Sequence, residues 1–176
     1  MFQKVCSAGI WGIDGFLVAV EVDVHDGLPG FIMTGNLSQE TREAQERVRT
    51  ALKNAGFRLP VKKITVNLSP ADRRKEGTAY DLAIAAAVLG AFGVFDSALL
   101  EGAMVAGELG LDGEVKAVRG VLSLVTAARE SGLTRCFLPK VNALEGSLVE
   151  GIRIIPVENI RQLADYLQQD GPEPEL

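Results

Sequence analysis

An alternating pattern of apolar and polar residues marks the start of the chain. Residues 16–24 read FLVAVEVDV, in which every second position from Val18 onward is valine and the later positions between carry Glu21 and Asp23. This period of two predicts a strand with one buried and one solvated face. The turn residues of HDGLPG follow, and FIMTG after them predicts a returning strand. The pattern therefore predicts an early, hairpin-like pair of strands.

A helix is predicted after these strands. Ser38 is a suitable N-cap, and Glu40 lies in the first turn, where the helix dipole favours an acid. Val48 and Leu52 recur at helical spacing and predict a buried stripe, with arginines on the opposite side. Gly56 is expected to end the helix.

Strands and helices alternate in the rest of the chain. Residues 78–89 are almost wholly apolar and rich in alanine, which favours a buried helix over a strand. An Asp-Gly pair at Asp112 predicts a hairpin between AMVAGEL and GLDGEV. The other predicted elements are a strand at 63–68, a helix at 119–131, a strand at CFLP, a short helix from Asn142, a strand at RIIPV and a helix at 158–169. This order predicts one α+β domain over 1–169, and a polar, acidic tail at 170–176 that is typical of a linker or frayed end.

Composition narrows the class of protein. The 176 residues are 47% hydrophobic, which is enough for one well-buried core. No apolar run reaches the roughly 18 residues of a membrane span, and the amino terminus lacks the apolar region of a signal peptide, so we expect a cytoplasmic protein. Cys6 and Cys136 are expected to be free and buried. With His25 as its one histidine, the domain is expected to hold no metal.

Positive charge is concentrated in one segment. Residues 42–75 hold ten basic and three acidic residues, a net charge of +7, so the rest of this chain of net charge −5 carries −12. Such asymmetry is typical of a surface that faces a polyanion or a neighbouring subunit, although a solvated helix face followed by a loop gives the same pattern. The candidate contact residues for DNA or a subunit are Arg73, Arg74, Lys75, Lys62 and Lys63.

The stretch NLSPADRRKEGTAYDL, from Asn67, holds the densest group of residues capable of chemistry. Its candidates are Ser69, Asp72, Lys75, Glu76, Tyr80 and Asp81. Glu76 and Asp81 are interpreted as a helix-start device rather than an acid/base pair, because the helix dipole favours acids in the first turn. Ser69 precedes a proline and has no paired base, so it is interpreted as a cap or turn residue.

Other candidates are weaker still. His25 beside Asp26 in a Gly/Pro turn is interpreted as a solvated surface pair rather than part of a catalytic triad. Trp11 is interpreted as a packing residue rather than a platform for stacked bases. No Gly-x-x-x-x-Gly-Lys-Ser/Thr string and no Gly-x-Gly-x-x-Gly after a strand occurs, so no nucleotide-binding motif is present.

Four longer motifs together resemble one family. They are Gly-Leu-Pro-Gly-Phe at 27–31, Ala-x-x-Arg-Val-Arg-x-Ala-Leu at 44–52, Asn-Leu-Ser-Pro-Ala-Asp at 67–72 and Lys-Glu-Gly-x-x-Tyr-Asp-Leu at 75–82. The likeness continues through GELGLDGEVKAVRGVL and FLPKVNA to about residue 169. The chain resembles the amino-terminal domain of the Mg-chelatase-like AAA+ proteins of bacteria, the competence protein ComM (YifB) family.

This resemblance implies a function for a longer protein. Family members are expected to join this domain to an AAA+ ATPase module, which is absent from this chain and would bind the ATP and Mg that the domain itself lacks. The resemblance implies an ATP-driven, hexameric ring that remodels branched DNA, by branch migration or as a helicase, in natural transformation and recombination. The expected partners are the AAA+ module, neighbouring subunits and branched or single-stranded DNA, with no membrane.

The domain is also similar to the proteolytic domain of Lon, with the ribosomal-protein-domain-2-like α+β fold. VAGELGLDGEV and AARESGLTRCFLPKVNA carry this likeness. Lon uses a Ser–Lys dyad, in which lysine activates serine. Laid on this sequence, the serine position falls on Ala79 and the lysine position on Leu124. The resemblance therefore implies a non-catalytic accessory domain, with a Lon-like peptidase or a Mg-chelatase subunit domain as the alternatives.

Overall fold

A mixed β-sheet forms the centre of the fold. In the computed structural model, which describes residues 1–169 and 171–176, the strands are β1 (Phe2–Trp11), β2 (Asp14–His25), β3 (Gly30–Thr34), β4 (Lys63–Ser69), β5 (Ala103–Val105), β6 (Glu108–Leu109), β7 (Val115–Lys116), β8 (Arg135–Pro139) and β9 (Arg153–Val157). Seven of them lie side by side in the order β3-β4-β2-β1-β5-β8-β9, and β6 and β7 form a separate hairpin. The β1–β2 and β2–β4 pairs are antiparallel, and the other four pairs of the large sheet are parallel.

Helices cover both faces of this sheet. They are α1 (Gln39–Arg42), α2 (Ala44–Asn54), α3 (Asp81–Ala91), α4 (Val121–Glu130), α5 (Lys140–Gly146) and α6 (Ile160–Leu167), with a short 3-10 helix at Ser97–Leu100. One core cluster joins α2, α3 and α6 to one face, and a second joins α4 and α5 to the other. Every residue of α3 is buried, as the apolar run at 78–89 predicts. The predicted α+β class is confirmed.

The strand at the amino terminus forms a long hairpin that the sequence reasoning missed. β1 pairs with β2 along its whole length, with Trp11 opposite Asp14 across a two-residue turn. Gly12 has φ +65°, a left-handed conformation that glycine adopts without strain and that suits such a turn. The tip of this hairpin extends beyond the end of β4, because the pairing between β2 and β4 stops at Ala19 and Ser69.

The predicted pairing of FIMTG with the preceding strand is wrong. FIMTG does form a strand, β3, but β3 pairs in parallel with β4, and β4 occupies the edge of β2. Parallel neighbours need a crossover connection, and α1 and α2 between β3 and β4 supply one. The four-residue link between β2 and β3, residues 26–29, therefore leads to a strand that lies two positions away from β2 in the sheet, with β4 between them.

The helix predicted from Ser38 is confirmed in its cap and its buried stripe. The Ser38 hydroxyl accepts a hydrogen bond from the Thr41 amide at 3.1 Å. Val48 and Leu52 are buried, and Gly56, with φ +91°, follows the helical segment. The segment is not continuous, because Glu43 separates α1 from α2.

Several later predictions are confirmed with shifted boundaries. The Asp112 turn joins β6 and β7, whereas AMV, predicted as part of that hairpin, joins the large sheet as β5. The short helix α5 begins at Lys140 rather than Asn142. No helix in the described part of the chain is both long and apolar enough to cross a membrane.

The acidic tail touches the fold. Glu173 pairs with Arg153 and accepts a hydrogen bond from the Tyr166 hydroxyl at 3.0 Å. The described part of the tail, residues 171–176, has no helix or strand, and Asp170 lies outside the described residues.

Candidate functional site

The candidate basic residues lie at two ends of β4. Lys62 and Lys63 are at its start, whereas Arg73 and Arg74 follow its end. A seven-residue strand rises about 3.3 Å per residue, so the two groups are separated by roughly 20 Å. These four candidate contact residues therefore lie on two separate surfaces.

Lys75 is buried, which corrects its prediction as a surface contact residue. Its ammonium group donates to the carbonyl of Gly35 at 2.5 Å and to the carbonyl of Pro70. Its backbone N–H also donates to the carbonyl of Asn36 at 3.0 Å. Burial lowers the pKa of Lys75. Lys75 thus ties the loop after β4 to the loop after β3, and it has no surface with which to meet DNA.

Arg73 lies against two aromatic rings. Its guanidinium carbon is 5.3 Å from the ring centre of Trp11 and 5.2 Å from that of Phe16. Both distances are within cation–π range. Trp11, interpreted from the sequence as a packing residue, is 59% exposed at the hairpin tip, and its ring lies against Arg73. The sequence reasoning missed Phe16 as a partner, because only the hairpin brings residues 11 and 16 to the same arginine.

The remainder of this end is polar and exposed. Arg74 is exposed, and its Nε lies 3.3 Å from Glu76, which is also exposed. Glu76 precedes α3 by five residues, so of the predicted helix-start acids only Asp81 lies in the helix. We name the group of Trp11, Arg73 and Arg74 the hairpin-tip surface.

Asp81 is held in a buried ion pair. It accepts hydrogen bonds from Nε and Nη2 of Arg47 at 2.7 and 3.0 Å, and from the amide of Leu109 at 3.1 Å. Burial raises the pKa of Asp81, and the bonds from Arg47 oppose that rise. With three hydrogen bonds accepted and almost no solvent contact, this carboxylate connects α2, α3 and β6.

Ala79 and Leu124, the positions that correspond to the Lon serine and lysine, carry apolar side chains, and they lie in different parts of the fold. Ala79 precedes α3, and its carbonyl accepts from the amide of Gly107 at 2.9 Å. Leu124 is fully buried in the cluster beneath α4, together with Ala8 and Met104. Neither side chain offers a nucleophile or a base. Ser69, the other hydroxyl candidate, ends β4 in a half-buried position.

The opposite end of β4 borders an apolar groove. Lys62 pairs with Asp26 at 2.6 Å, and His25 pairs instead with Asp23 at 2.9 Å, so His25 and Asp26 do not form a catalytic arrangement. The groove has a volume of about 420 Å³ and lies between α2, α3 and the starts of β3 and β4. Sequence reasoning missed it, although FRLPVK at 57–62 combines four apolar residues with two basic ones.

The described residues offer no ready metal site. No group of three or more His, Cys, Asp or Glu side chains among them is placed to hold a metal ion. Both cysteines are free; Cys136 is buried as predicted, whereas Cys6 is half-buried. Burial raises the pKa of Cys6 to about 11 and that of Cys136 to about 12, which keeps both thiols protonated at neutral pH.

Comparison with known proteins defines the class to which this fold and surface belong. A family model described as subunit ChlI of Mg-chelatase matches residues 20–142. Because this match covers most of the chain, the protein belongs to that Mg-chelatase-like family, as the motifs indicate.

Individual relatives agree with this assignment. The chain is 42% identical over 163 residues to competence protein ComM of Haemophilus influenzae, covering 93% of this chain and 32% of that protein. It is 37% identical over 157 residues to the uncharacterised protein YifB of Escherichia coli, covering 89% of this chain and 31% of that protein. An archaeal Lon protease of Thermococcus kodakarensis is 30% identical over 147 residues, covering 81% of this chain and 23% of that protein. The chain spans about a third of the length of the ComM and YifB relatives that it matches.

Proposed function

We propose that this chain is the non-catalytic amino-terminal domain of an ATP-dependent AAA+ protein that remodels DNA. In this proposal the complete protein is a hexameric ring with branch-migration or helicase activity in natural transformation and recombination, and ATP and Mg bind its ATPase module. The domain contributes the hairpin-tip surface, which contacts branched or single-stranded DNA. Its other partners are the ATPase module and neighbouring subunits in the cytoplasm.

The relatives support the setting of this proposal. One relative is named a competence protein, and the chain matches about a third of its length. A domain of this size in a longer protein leaves room for a separate motor module. The distant likeness to an archaeal Lon protease supports a ribosomal-protein-domain-2-like fold, in which a domain related to a protease has taken another role.

The contact of Arg73 with Trp11 is the observation that carries the DNA part of the proposal. An arginine beside an exposed aromatic ring offers a positive charge to a phosphate and a flat face to an unpaired base. Arg74, exposed next to it and paired with Glu76, adds a second guanidinium group. Lys75 contributes nothing to this surface because its ammonium group is directed inward to two carbonyls.

The proposal is tested by DNA binding at two salt concentrations. We expect the chain to bind labelled forked and four-way DNA, with an affinity that falls as salt rises. Arg74→Ala should lower the affinity and reduce the slope of log affinity against log salt by about 0.7–0.9, the effect of one lost phosphate contact. Fluorescence anisotropy measures both quantities.

Arg58→Ala is the matched control, because Arg58 is also exposed but lies at the far end of β4. Its salt slope should equal that of the unchanged chain. Equal slopes for all three chains, or no binding of either DNA, would refute DNA contact through the hairpin-tip surface.

A Lon-like peptidase is the second candidate, favoured by the archaeal Lon relative. The apolar side chains of Ala79 and Leu124 argue against it, because neither can attack a peptide bond or accept its proton. A fluorophosphonate probe that labels active-site serines should leave the purified chain unlabelled. Labelling of any serine would favour the peptidase. A chelatase subunit domain is the remaining alternative that the family's description raises.

A further inference from the structure

The apolar groove at the start of β4 is a second candidate binding surface, and the proposed function does not use it. Its walls and floor are formed by apolar side chains of four elements: Leu52 from α2, Val88 from α3, Phe31 from β3 and Ile64 from β4. Its volume of about 420 Å³ lies within the range of roughly 300–1,000 Å³ that is typical of ligand-sized clefts. The groove can therefore hold one or two bulky apolar side chains.

One wall of the groove is held in place from outside. Phe57 lines the groove, and the guanidinium group of Arg161 lies 4.0 Å from the centre of its ring. Arg161 also donates to the carbonyl of Ala55 at 2.8 Å. These contacts fix the segment between α2 and β4 against α6, so the groove is preorganised for an occupant.

The rim of the groove is basic. Four cationic side chains line its mouth: Arg49, Lys53, Arg58 and Lys62. Two of these cations already have acidic partners, since Arg49 pairs with Glu46 and Lys62 with Asp26. Lys53 and Arg58 are exposed and form no ion pair with the residues that the structure describes, so the rim keeps a positive excess.

Exposed aliphatic residues stand beside this rim. Val61 lines the mouth and is 79% exposed. Leu28, in the turn that leads to the groove residue Pro29, is 87% exposed. An apolar cleft continued by exposed aliphatic side chains and bordered by charge is typical of a surface that another protein covers.

We propose that this groove is a docking site for a protein segment that inserts a bulky aromatic or aliphatic side chain between flanking carboxylates. The apolar side chain fills the cleft, and the carboxylates meet Lys53 and Arg58. Nucleic acid is the poorer occupant, because the cleft offers apolar walls where phosphate and base edges need hydrogen-bonding groups. This surface lies at the opposite end of β4 from Arg73, so it is independent of the proposed DNA contact.

A peptide selection identifies the chemistry of the occupant. A random twelve-residue library displayed on phage is selected against the immobilised chain. We expect enrichment of sequences in which an aromatic or large aliphatic residue is flanked by Asp or Glu. Failure to enrich any sequence over an uncoated surface, or enrichment of sequences without carboxylates, would overturn the proposal.

Matched variants then test the location. The most enriched peptide, synthesised with a fluorescein label, should bind Val61→Glu at least about tenfold more weakly, because the variant adds a negative charge and removes apolar contact at the mouth. Arg58→Glu should weaken binding about fivefold and flatten its salt dependence. Val141→Glu, a valine 73% exposed on α5, should bind as the unchanged chain does. Equal binding by Val61→Glu and Val141→Glu would overturn the assignment to this groove.

Sedimentation velocity distinguishes a second copy from a different partner. We expect the chain to sediment as a single monomeric species at all concentrations. Concentration-dependent dimers that Val61→Glu abolishes and Val141→Glu preserves would show that a second copy covers the groove, and would overturn the proposal of a separate acidic segment.

Discussion

Arg47 on α2 and Asp81 at the start of α3 form a buried ion pair through two hydrogen bonds of 2.7 and 3.0 Å. The same carboxylate accepts the Leu109 amide of β6, so three elements meet at one side chain. Asp81 is fully buried, and its partner is largely so. The pair therefore fixes the position at which α3 begins.

Removal of one partner of this ion pair should lower the stability of the fold. We expect Asp81→Ala to lower the free energy of unfolding by about 3–5 kcal/mol, because it leaves the Arg47 charge buried without a partner. The double variant Arg47→Ala/Asp81→Ala should lose less than the sum of the two single losses. Urea unfolding of the four chains measures this coupling, and additive losses would show that the two side chains act independently.

Lys75 should affect stability rather than DNA binding. Lys75→Ala removes the donor from the carbonyls of Gly35 and Pro70, so we expect a loss of about 1–3 kcal/mol in the free energy of unfolding. Arg74→Ala, one residue away and exposed, should change that free energy little. Urea unfolding separates the two variants. A Lys75→Ala chain as stable as Arg74→Ala would contradict the buried role of this lysine.

The two thiols should make the fold less stable in alkali. Burial raises their pKa values from the ordinary 9.0 to about 11 for Cys6 and about 12 for Cys136. At a pH between 9.0 and these raised values, the folded chain keeps thiol protons that the unfolded chain releases. The contribution of the protonated thiols to the free energy of unfolding is therefore complete below about pH 9 and is lost as pH rises through about 11.

Cys6→Ala/Cys136→Ala provides the control for this dependence. Its free energy of unfolding should fall less steeply above about pH 9 than that of the unchanged chain, although it starts lower because Cys136 fills part of the core. Urea unfolding from about pH 8 to about pH 10.5 gives both curves. Parallel curves would mean that the thiols do not contribute. The folded chain should also react slowly with a thiol reagent at about pH 8.

Trp11 is a built-in reporter of the hairpin-tip surface, because it is the one tryptophan of the chain. We expect Arg73→Ala to increase quenching of its fluorescence by acrylamide, since the guanidinium group covers one part of the ring. Forked DNA should quench the emission of the unchanged chain if a base stacks on Trp11. If DNA binds but the fluorescence of Trp11 does not change, Trp11 is not part of the DNA contact.

Local patterns in the sequence determined most of the individual elements. The alternation in β2, the Ser38 cap and the alanine-rich α3 each depend on residues close together in the chain. Residue type and the local order of apolar residues were therefore enough to predict them. The motifs were also sufficient for the family, which the match over residues 20–142 confirms.

Local patterns could not predict which strands pair when those strands are distant in the chain. β3 follows β2 closely, yet its partner is β4, about thirty residues later in the chain. A strand's period shows which face is buried, but hydrogen-bonding edges carry no side-chain pattern, so the choice of neighbour depends on the whole sheet.

The positions and exposure of the basic side chains likewise depended on tertiary structure. The sequence established that positive charge is concentrated between residues 42 and 75. Only the fold decided that Lys75 is buried beneath two loops, that Arg73 lies against the hairpin tip, and that Lys62 lies beside an apolar groove at the other end of β4. Charge is a property of each residue, whereas exposure depends on what the rest of the chain places around it. For this reason the candidate basic residues lie on two separate surfaces, and one of them, Lys75, is buried.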